Sequence, residues 1–285
     1  MNKHSEILNS YSNGKNIFIT GPGGTGKTYA IKQIYKDATS NNKKICVTAL
    51  TGVAAILLDC NATTLHSWSG IGTGNKNDFY IINKVTKSKF YRHNWENTDV
   101  LIIDEISMMS CKLFELLDKI GKTIRLNKKP FGGIQIIFSG DFFQLPPVKE
   151  TTFCFESENF NTSFDKIIYL TKVYRQSDVL YKKLLLNMRK GLISKNSINI
   201  LNSKIIDEEF DKNMNNITRL VPTKNKSNLI NDYFINKIKN KKYIYKRTYK
   251  EKTDNLCNLE KIKLDLMSDS EKENEYNFIK NSTLS

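Results

Sequence analysis

The sequence predicts an α/β fold built on a parallel sheet, and three observations carry that expectation. Four short runs rich in Ile and Val, residues 16–20, 44–49, 99–104 and 134–139, are continuously apolar, as strands buried on both faces of a sheet are. The stretches between them are helix-like or loop-like and long enough to serve as crossovers between parallel strands. Each run is followed at its C-terminal end by Gly, Thr, Asp, Glu or Gln, and open parallel sheets bind their ligands at that edge.

Taken in order, the first run leads directly into Gly21, Gly23, Gly24, Thr25, Gly26, Lys27 and Thr28, which fit the spacing G-x-x-x-x-G-K-[ST]. Glycines let the backbone wrap a phosphate with successive N–H groups turned inward, and residues 29–37 are read as the helix whose N-terminus adds positive partial charge. Lys27 then reaches the β- and γ-phosphates of a nucleotide, and the Thr28 hydroxyl ligates magnesium. The third run ends on Asp104 and Glu105. A carboxylate there holds Mg²⁺ together with Thr28, and its neighbour orients and polarises an attacking water, so Asp104 takes the metal role and Glu105 the water. An acidic pair after a strand also reads, by itself, as a helix N-terminal cap.

After the fourth run, Gln144 is placed to sense the γ-phosphate or the water, and Pro146 and Pro147 stop regular structure at the exit. A domain boundary is expected in the polar stretch 151–165. Beyond it, residues 179–190 carry Leu180, Leu184, Leu185 and Met188 at helical spacing, and residues 228–238 read as another amphipathic helix. From Lys239 onward Lys, Asn, Asp and Glu dominate.

Composition bounds the rest. With 285 residues, of which 39% are hydrophobic, the chain is long enough for one large or two moderate domains. Its start is polar, and nowhere does an apolar run reach the length of a membrane span, so secretion and membrane insertion are not expected and an intracellular location is. Nucleus, cytoplasm and viral factory are not distinguished. The five cysteines, Cys46, Cys60, Cys111, Cys154 and Cys257, show no zinc spacing and read as reduced thiols, Cys46 as a core residue. A net charge of +15 favours a polyanionic partner, although the excess is spread along the chain and does not by itself identify one.

Gly21 to Thr28, Thr48 to Ala55, Thr64 to Ser67, Ile103 to Met108, Gly132 to Pro147, and Tyr174 to Gln176, in this order and spacing, resemble Pif1-family helicases of superfamily 1. The match runs well from Ile17 to Met188, and residues 113–127 resemble the segment that separates this family from its RecD-like relatives. The resemblance implies a RecA-like ATP-binding domain over 1–165, the incomplete start of a second RecA-like motor domain over 166–250, and a polar tail over 251–285. It implies ATP and Mg²⁺ as cofactors. It also implies hydrolysis coupled to 5′ to 3′ translocation on single-stranded DNA, with unwinding of duplexes and junctions in repair, recombination, replication or telomere maintenance. Thr51, Gly52, His66 and Ser67 are implied contacts to the DNA backbone, and Arg175 the arginine that reaches across an interdomain cleft to the γ-phosphate.

Two departures qualify this. Family members carry an adenine-reading Gln ahead of the phosphate loop, whereas the first Gln here is Gln33, and the later motor motifs do not occur before Ser285. A second chain or a downstream segment is therefore expected to supply the missing motor domain. The rival readings are a non-catalytic ATP- and DNA-binding module and a nucleotide kinase, the latter disfavoured by the Gln144 loop and the lack of an Arg-rich lid. Trp68, Phe142 and Phe143 are candidates for base stacking, with core packing the better reading for each alone.

Overall fold

A computed structural model describes residues 3–72, 76–205 and 217–239. The chain divides into two units, Met1–Ile206 and Asp207–Ser285. Of the second, the described part contains one helix, Lys224–Lys237. Cys257 and the tail 251–285 lie outside the described residues.

The first unit is one sheet of six strands: β1 (Ile17–Thr20), β2 (Ile45–Ala49), β3 (Thr63–Thr64), β4 (Val100–Asp104), β5 (Gln135–Gly140) and β6 (Lys166–Tyr169). They lie in the order β3-β2-β4-β5-β1-β6, and every pairing is parallel. The four apolar runs are β1, β2, β4 and β5. The sequence did not reveal β3, which has two residues, or β6, of whose four residues only Ile168 is fully buried.

Both faces of the sheet are buried, which is why the runs do not alternate. In β4, Val100 and Ile102 pack with Ile17, Ile19 and Ile137 under α1 (Lys3–Ser12), α2 (Lys27–Ser40) and α3 (Gly52–Leu58). Leu101 and Ile103 face the other way, onto a cluster rich in aromatics. That cluster includes Trp68 from α4 (Leu65–Ser69), Val85 from α5 (Asp78–Lys87), Trp95 from α6 (Lys89–Asn97) and Phe114 and Leu117 from α7 (Cys111–Arg125). Burying such a side chain contributes roughly 1.5–3 kcal/mol.

Residues 113–127 prove to be the scaffold of this face. Helix α7 buries Phe114, Leu117, Ile120 and Ile124 at helical spacing. Its Gly121 lies so close to Phe131 that a Cβ there would approach that residue's backbone to 2.6 Å. Asp118 accepts the Phe131 N–H at 2.9 Å, and Arg125 donates to Gly132 O, Trp95 O and Glu96 O.

The boundary expected at residue 165 is displaced. Residues 166–169 form β6, in register with β1 from Ile17↔Lys166 to Thr20↔Tyr169, and α9 (Val179–Arg189) also falls in the first unit, after the short helix α8 (Glu158–Thr162). Cys46 is half-buried and not fully inside, its Sγ 3.3 Å from Thr98 Oγ1.

Candidate functional site

Sheet register decides what meets at the C-terminal edge. Thr20 of β1 stands beside Gly140 of β5, and Ala49 of β2 beside Asp104 of β4. The loops after β1, β4 and β5 therefore emerge side by side.

The loop after β1 wraps as its glycines permit. Gly21, Gly24 and Gly26 have φ of 147°, 77° and 92°, a region that side-chain-bearing residues avoid. All three also carry close approaches: a Cβ on Gly21 would overlap the Leu170 carbonyl, one on Gly24 would lie 2.6 Å from Arg175 Cβ, and one on Gly26 2.8 Å from His4 Nε2. Gly23 differs, since a Cβ there meets only Gln144 Nε2 at 4.0 Å. Buried Thr25 braces the turn by donating to Pro22 O at 2.8 Å. Lys27, the first residue of α2, donates to Gly21 O at 2.7 Å and Pro22 O at 3.1 Å, so its ammonium lies in the mouth of the loop. The Thr28 side chain follows, exposed at the same helix end.

Asp104, Glu105, Gln144 and Arg175 join Lys27 and Thr28 around one half-open cleft of about 780 Å³. Burial raises the Asp104 carboxyl above the ordinary aspartate range. Burial, reinforced by the Asp104 charge, likewise raises Glu105, while Lys27 and Arg175 pull it back. Glu105 sits at φ 57°, a left-handed conformation that starts the 3₁₀ turn Ile106–Met108 and ends the strand abruptly. Burial lowers Lys27, opposed by the charges of Asp141, Asp104 and Glu105.

Arg175, which the resemblance sets at an interdomain cleft, lies within the same unit as the phosphate loop, Met1–Ile206. The Tyr174 and Arg175 N–H groups both point at Gly24 O, at 2.8 and 3.4 Å, which lays residues 174–175 over the loop.

Three participants escaped the sequence reading. His4 of α1 approaches Gly26 O at 3.3 Å and packs edge-on against Tyr29 at 5.4 Å, lining the cleft with Gln33 and Tyr174. No motif signalled it. Asp141 follows Gly140 at the strand end, where a carboxylate was legible but unassigned. Its partner Arg189, at the end of α9, donates Nε to Asp141 Oδ2 at 2.7 Å and a second N–H to Oδ1.

The expected nucleic-acid contacts form a second constellation on the neighbouring strands. Because β2 and β3 pair in parallel with Ala49 opposite Thr64, the helices after them start side by side. Thr51 caps α3, its Oγ1 accepting the Ala54 N–H at 3.2 Å, and Gly52 is exposed with open space where a Cβ would stand. Thr64 caps α4 and accepts the Ser67 N–H at 3.2 Å, leaving Ser67 exposed. His66 is half-buried, and burial lowers its pKa. Trp68 packs at a tilt on Trp95 at 4.6 Å as a core residue, and half-buried Phe142 packs against that core 5.6 Å from Phe18; Phe143 is exposed, with the Arg189 guanidinium 4.2 Å over its ring.

A model of the PIF1-like helicase family matches residues 4–199. The ATP-dependent DNA helicase RRM3 of Saccharomyces cerevisiae is 45% identical over 171 residues, 57% of this chain and 23% of the relative. The human ATP-dependent DNA helicase PIF1 is 38% identical over 196 residues, 67% of this chain and 30% of the relative. The chain thus matches about a quarter of the length of these curated relatives. Among solved structures, the Pif1 helicase from Candida albicans superposes with a TM-score of 0.78 at 33% identity, covering 85% of this chain and 55% of that one. The Bacteroides Pif1 helicase in complex with ADP-AlF3 and ssDNA superposes with a TM-score of 0.66 at 27% identity, covering 85% and 58%.

Proposed function

The chain belongs to the PIF1-like helicase family, and from that premise we propose that it binds and hydrolyses ATP at the cleft after β1, β4 and β5. Hydrolysis drives 5′ to 3′ movement on single-stranded DNA and unwinding of duplexes and junctions in repair, recombination, replication or telomere maintenance. The observation that carries this reading is the convergence of Lys27, Asp104, Glu105, Gln144 and Arg175 on one cleft from widely separated parts of the chain.

Each residue then has work that its position supports. The backbone N–H groups of residues 23–28 and the Lys27 ammonium hold the β- and γ-phosphates. Glu105 accepts a proton as water oxygen attacks the γ-phosphorus and the bond to the β–γ bridging oxygen breaks, releasing ADP. Gln144 orients the water, and the Arg175 guanidinium offsets charge on the transferring group.

The donor set fits magnesium. Thr28 and Asp104 offer oxygens only, as this hard cation requires, and a buried Asp104 carboxyl pushed above its ordinary range is the kind of ligand a divalent cation would relieve of its desolvation cost. When bound, the ion supplies neutralisation of phosphate charge. DNA crosses the paired starts of α3 and α4, with Thr51, Gly52, His66 and Ser67 on its phosphates. A further segment or chain completes the motor, consistent with the fraction of its relatives that this chain spans.

The test is ATP turnover by the full chain with and without oligothymidine, beside Lys27→Ala. DNA-stimulated turnover that Lys27→Ala abolishes, with an unchanged melting profile, is expected. Nucleotide binding undiminished in a folded Lys27→Ala protein would overturn the assignment, and tight binding without any turnover would favour a non-catalytic module.

A further inference from the structure

Arg189 comes from the far end of α9, yet its guanidinium closes on the Asp141 carboxylate with both prongs of its fork, and the two side chains are 16% and 1% exposed. Asp141 is in turn wired to the loop that carries Gln144. Its Oδ1 accepts the Phe143 N–H at 3.3 Å, its Oδ2 lies 3.5 Å from Gln144 Nε2, and its backbone carbonyl accepts the Gln144 N–H at 2.8 Å. The guanidinium also lies 4.2 Å over the Phe143 ring. One side chain therefore clamps the carboxylate, the ring and, through them, the amide that faces the cleft.

A second consequence is electrostatic. Among the charges acting on Lys27, Asp141 attracts it most strongly, ahead of Asp104 and Glu105, and Arg189 opposes that attraction. A buried carboxylate must be paired. The charges that act on the Asp141 carboxylate are those of Arg189 and Lys27, so without Arg189 the phosphate-loop lysine is drawn to it.

We propose that Arg189 is a positioning residue of the nucleotide site: its fork on Asp141 keeps Lys27 free for phosphate and holds Gln144 where it reads the third phosphate. This deepens, and rests on, the reading of the cleft as an ATP site. Arg175 precedes α9 and Arg189 ends it, so the segment 175–189 reports to the phosphates twice, directly through Arg175 and indirectly through Arg189. Lysine does not substitute here, because a point charge cannot hold both carboxylate oxygens and stack on Phe143 at once.

The test compares the full chain with Arg189→Lys, Arg189→Gln and the double variant Asp141→Asn with Arg189→Gln, using two readouts. The first needs no nucleotide: hydrogen exchange at the Phe143 and Gln144 amides should quicken in Arg189→Gln by about tenfold or more while β4 amides are unchanged. The second is the affinity for Mg-ADP and Mg-ATP. Arg189→Gln should bind both about tenfold more weakly, because an uncompensated buried charge recruits Lys27, and should lose its preference for ATP over ADP. The double variant should recover ADP affinity but not that preference, since Lys27 is released while Gln144 remains unmoored. Arg189→Lys should fall between the wild type and Arg189→Gln. A merely structural arginine would leave the ATP-to-ADP ratio unchanged. Unchanged loop exchange in Arg189→Gln, or ADP affinity not restored in the double variant, would overturn the proposal. Absence of nucleotide binding by the wild type would instead overturn the ATP-site reading on which it rests.

Discussion

Gly24 is the position where loop conformation and the placement of Arg175 meet, so Gly24→Ala is the most informative perturbation of the site. Two effects add. At φ 77° an alanine pays the left-handed penalty, roughly 1–2 kcal/mol. Its Cβ would also lie 2.6 Å from Arg175 Cβ, closer than packed carbons approach, so residues 174–175 must lift from the loop. Lifting them breaks the Tyr174 N–H bond to Gly24 O at 2.8 Å and the longer Arg175 one at 3.4 Å, at about 0.5–1.5 kcal/mol for a good hydrogen bond. The total is about 1.5–3.5 kcal/mol against the arrangement that places Arg175.

Moving the guanidinium away from the transferring group should lower turnover by roughly 10- to 300-fold, the cost of restoring its placement, and so by less than outright loss of an arginine of this kind. Mg-ADP, which lacks the group Arg175 addresses, should lose far less affinity. Gly23→Ala is the internal control, because its Cβ has only Gln144 Nε2 at 4.0 Å as a neighbour and no positive φ to satisfy. Steady-state ATPase, ADP titration and thermal melts on the two variants make the comparison. Wild-type turnover in Gly24→Ala, or equal losses in both variants, would refute the claim that this contact sets the position of Arg175.

Two further predictions concern charge. Burial and the neighbouring Asp104 hold the Glu105 carboxyl above the ordinary glutamate range, while Arg175 pulls it down. Since the ionised form is the base, turnover should fall as pH drops through that raised value, and Arg175→Gln should move the acid limb of kcat/KM to higher pH; a limb that stays put or moves down contradicts the placement. Glu105→Gln should cut turnover by roughly 10²-fold and keep nucleotide binding. For DNA, log affinity for oligothymidine should fall with log salt at a slope of about −2 to −4, near −0.7 per phosphate neutralised. Burial keeps His66 below the ordinary histidine pKa, so at pH 7 neither it nor Ser67 is charged. Their double replacement by Ala should therefore weaken binding about thirtyfold, at roughly 1 kcal/mol per hydrogen bond, with little change in slope. Anisotropy titrations showing no loss would remove both residues from the DNA path.

The sequence by itself determined the parallel sheet and the cleft at its C-terminal edge, because both are written in local code. Strands buried on two faces must be continuously apolar, and β1, β2, β4 and β5 are. A loop that wraps phosphate needs glycine at the positions that take positive φ, and Gly21, Gly24 and Gly26 stand there. A carboxylate pair at a strand end is also local, so Asp104 and Glu105 were legible at once. Tertiary structure alone decided what depends on partners distant in the chain. Strand β6 is a strand because Ile17–Thr20 pairs with it, so the first unit continues past the boundary drawn from polarity at residue 165, through β6 and α9 to Ile206. His4 reaches the phosphate loop because α1 packs beside α2, and Arg175 lies over that loop because Gly24 presents its carbonyl. The pairing of Arg189 with Asp141 spans 48 residues. No periodicity records it, because a buried ion pair is specified by where two elements cross, and that crossing exists only once the sheet has brought the end of β5 and the end of α9 together.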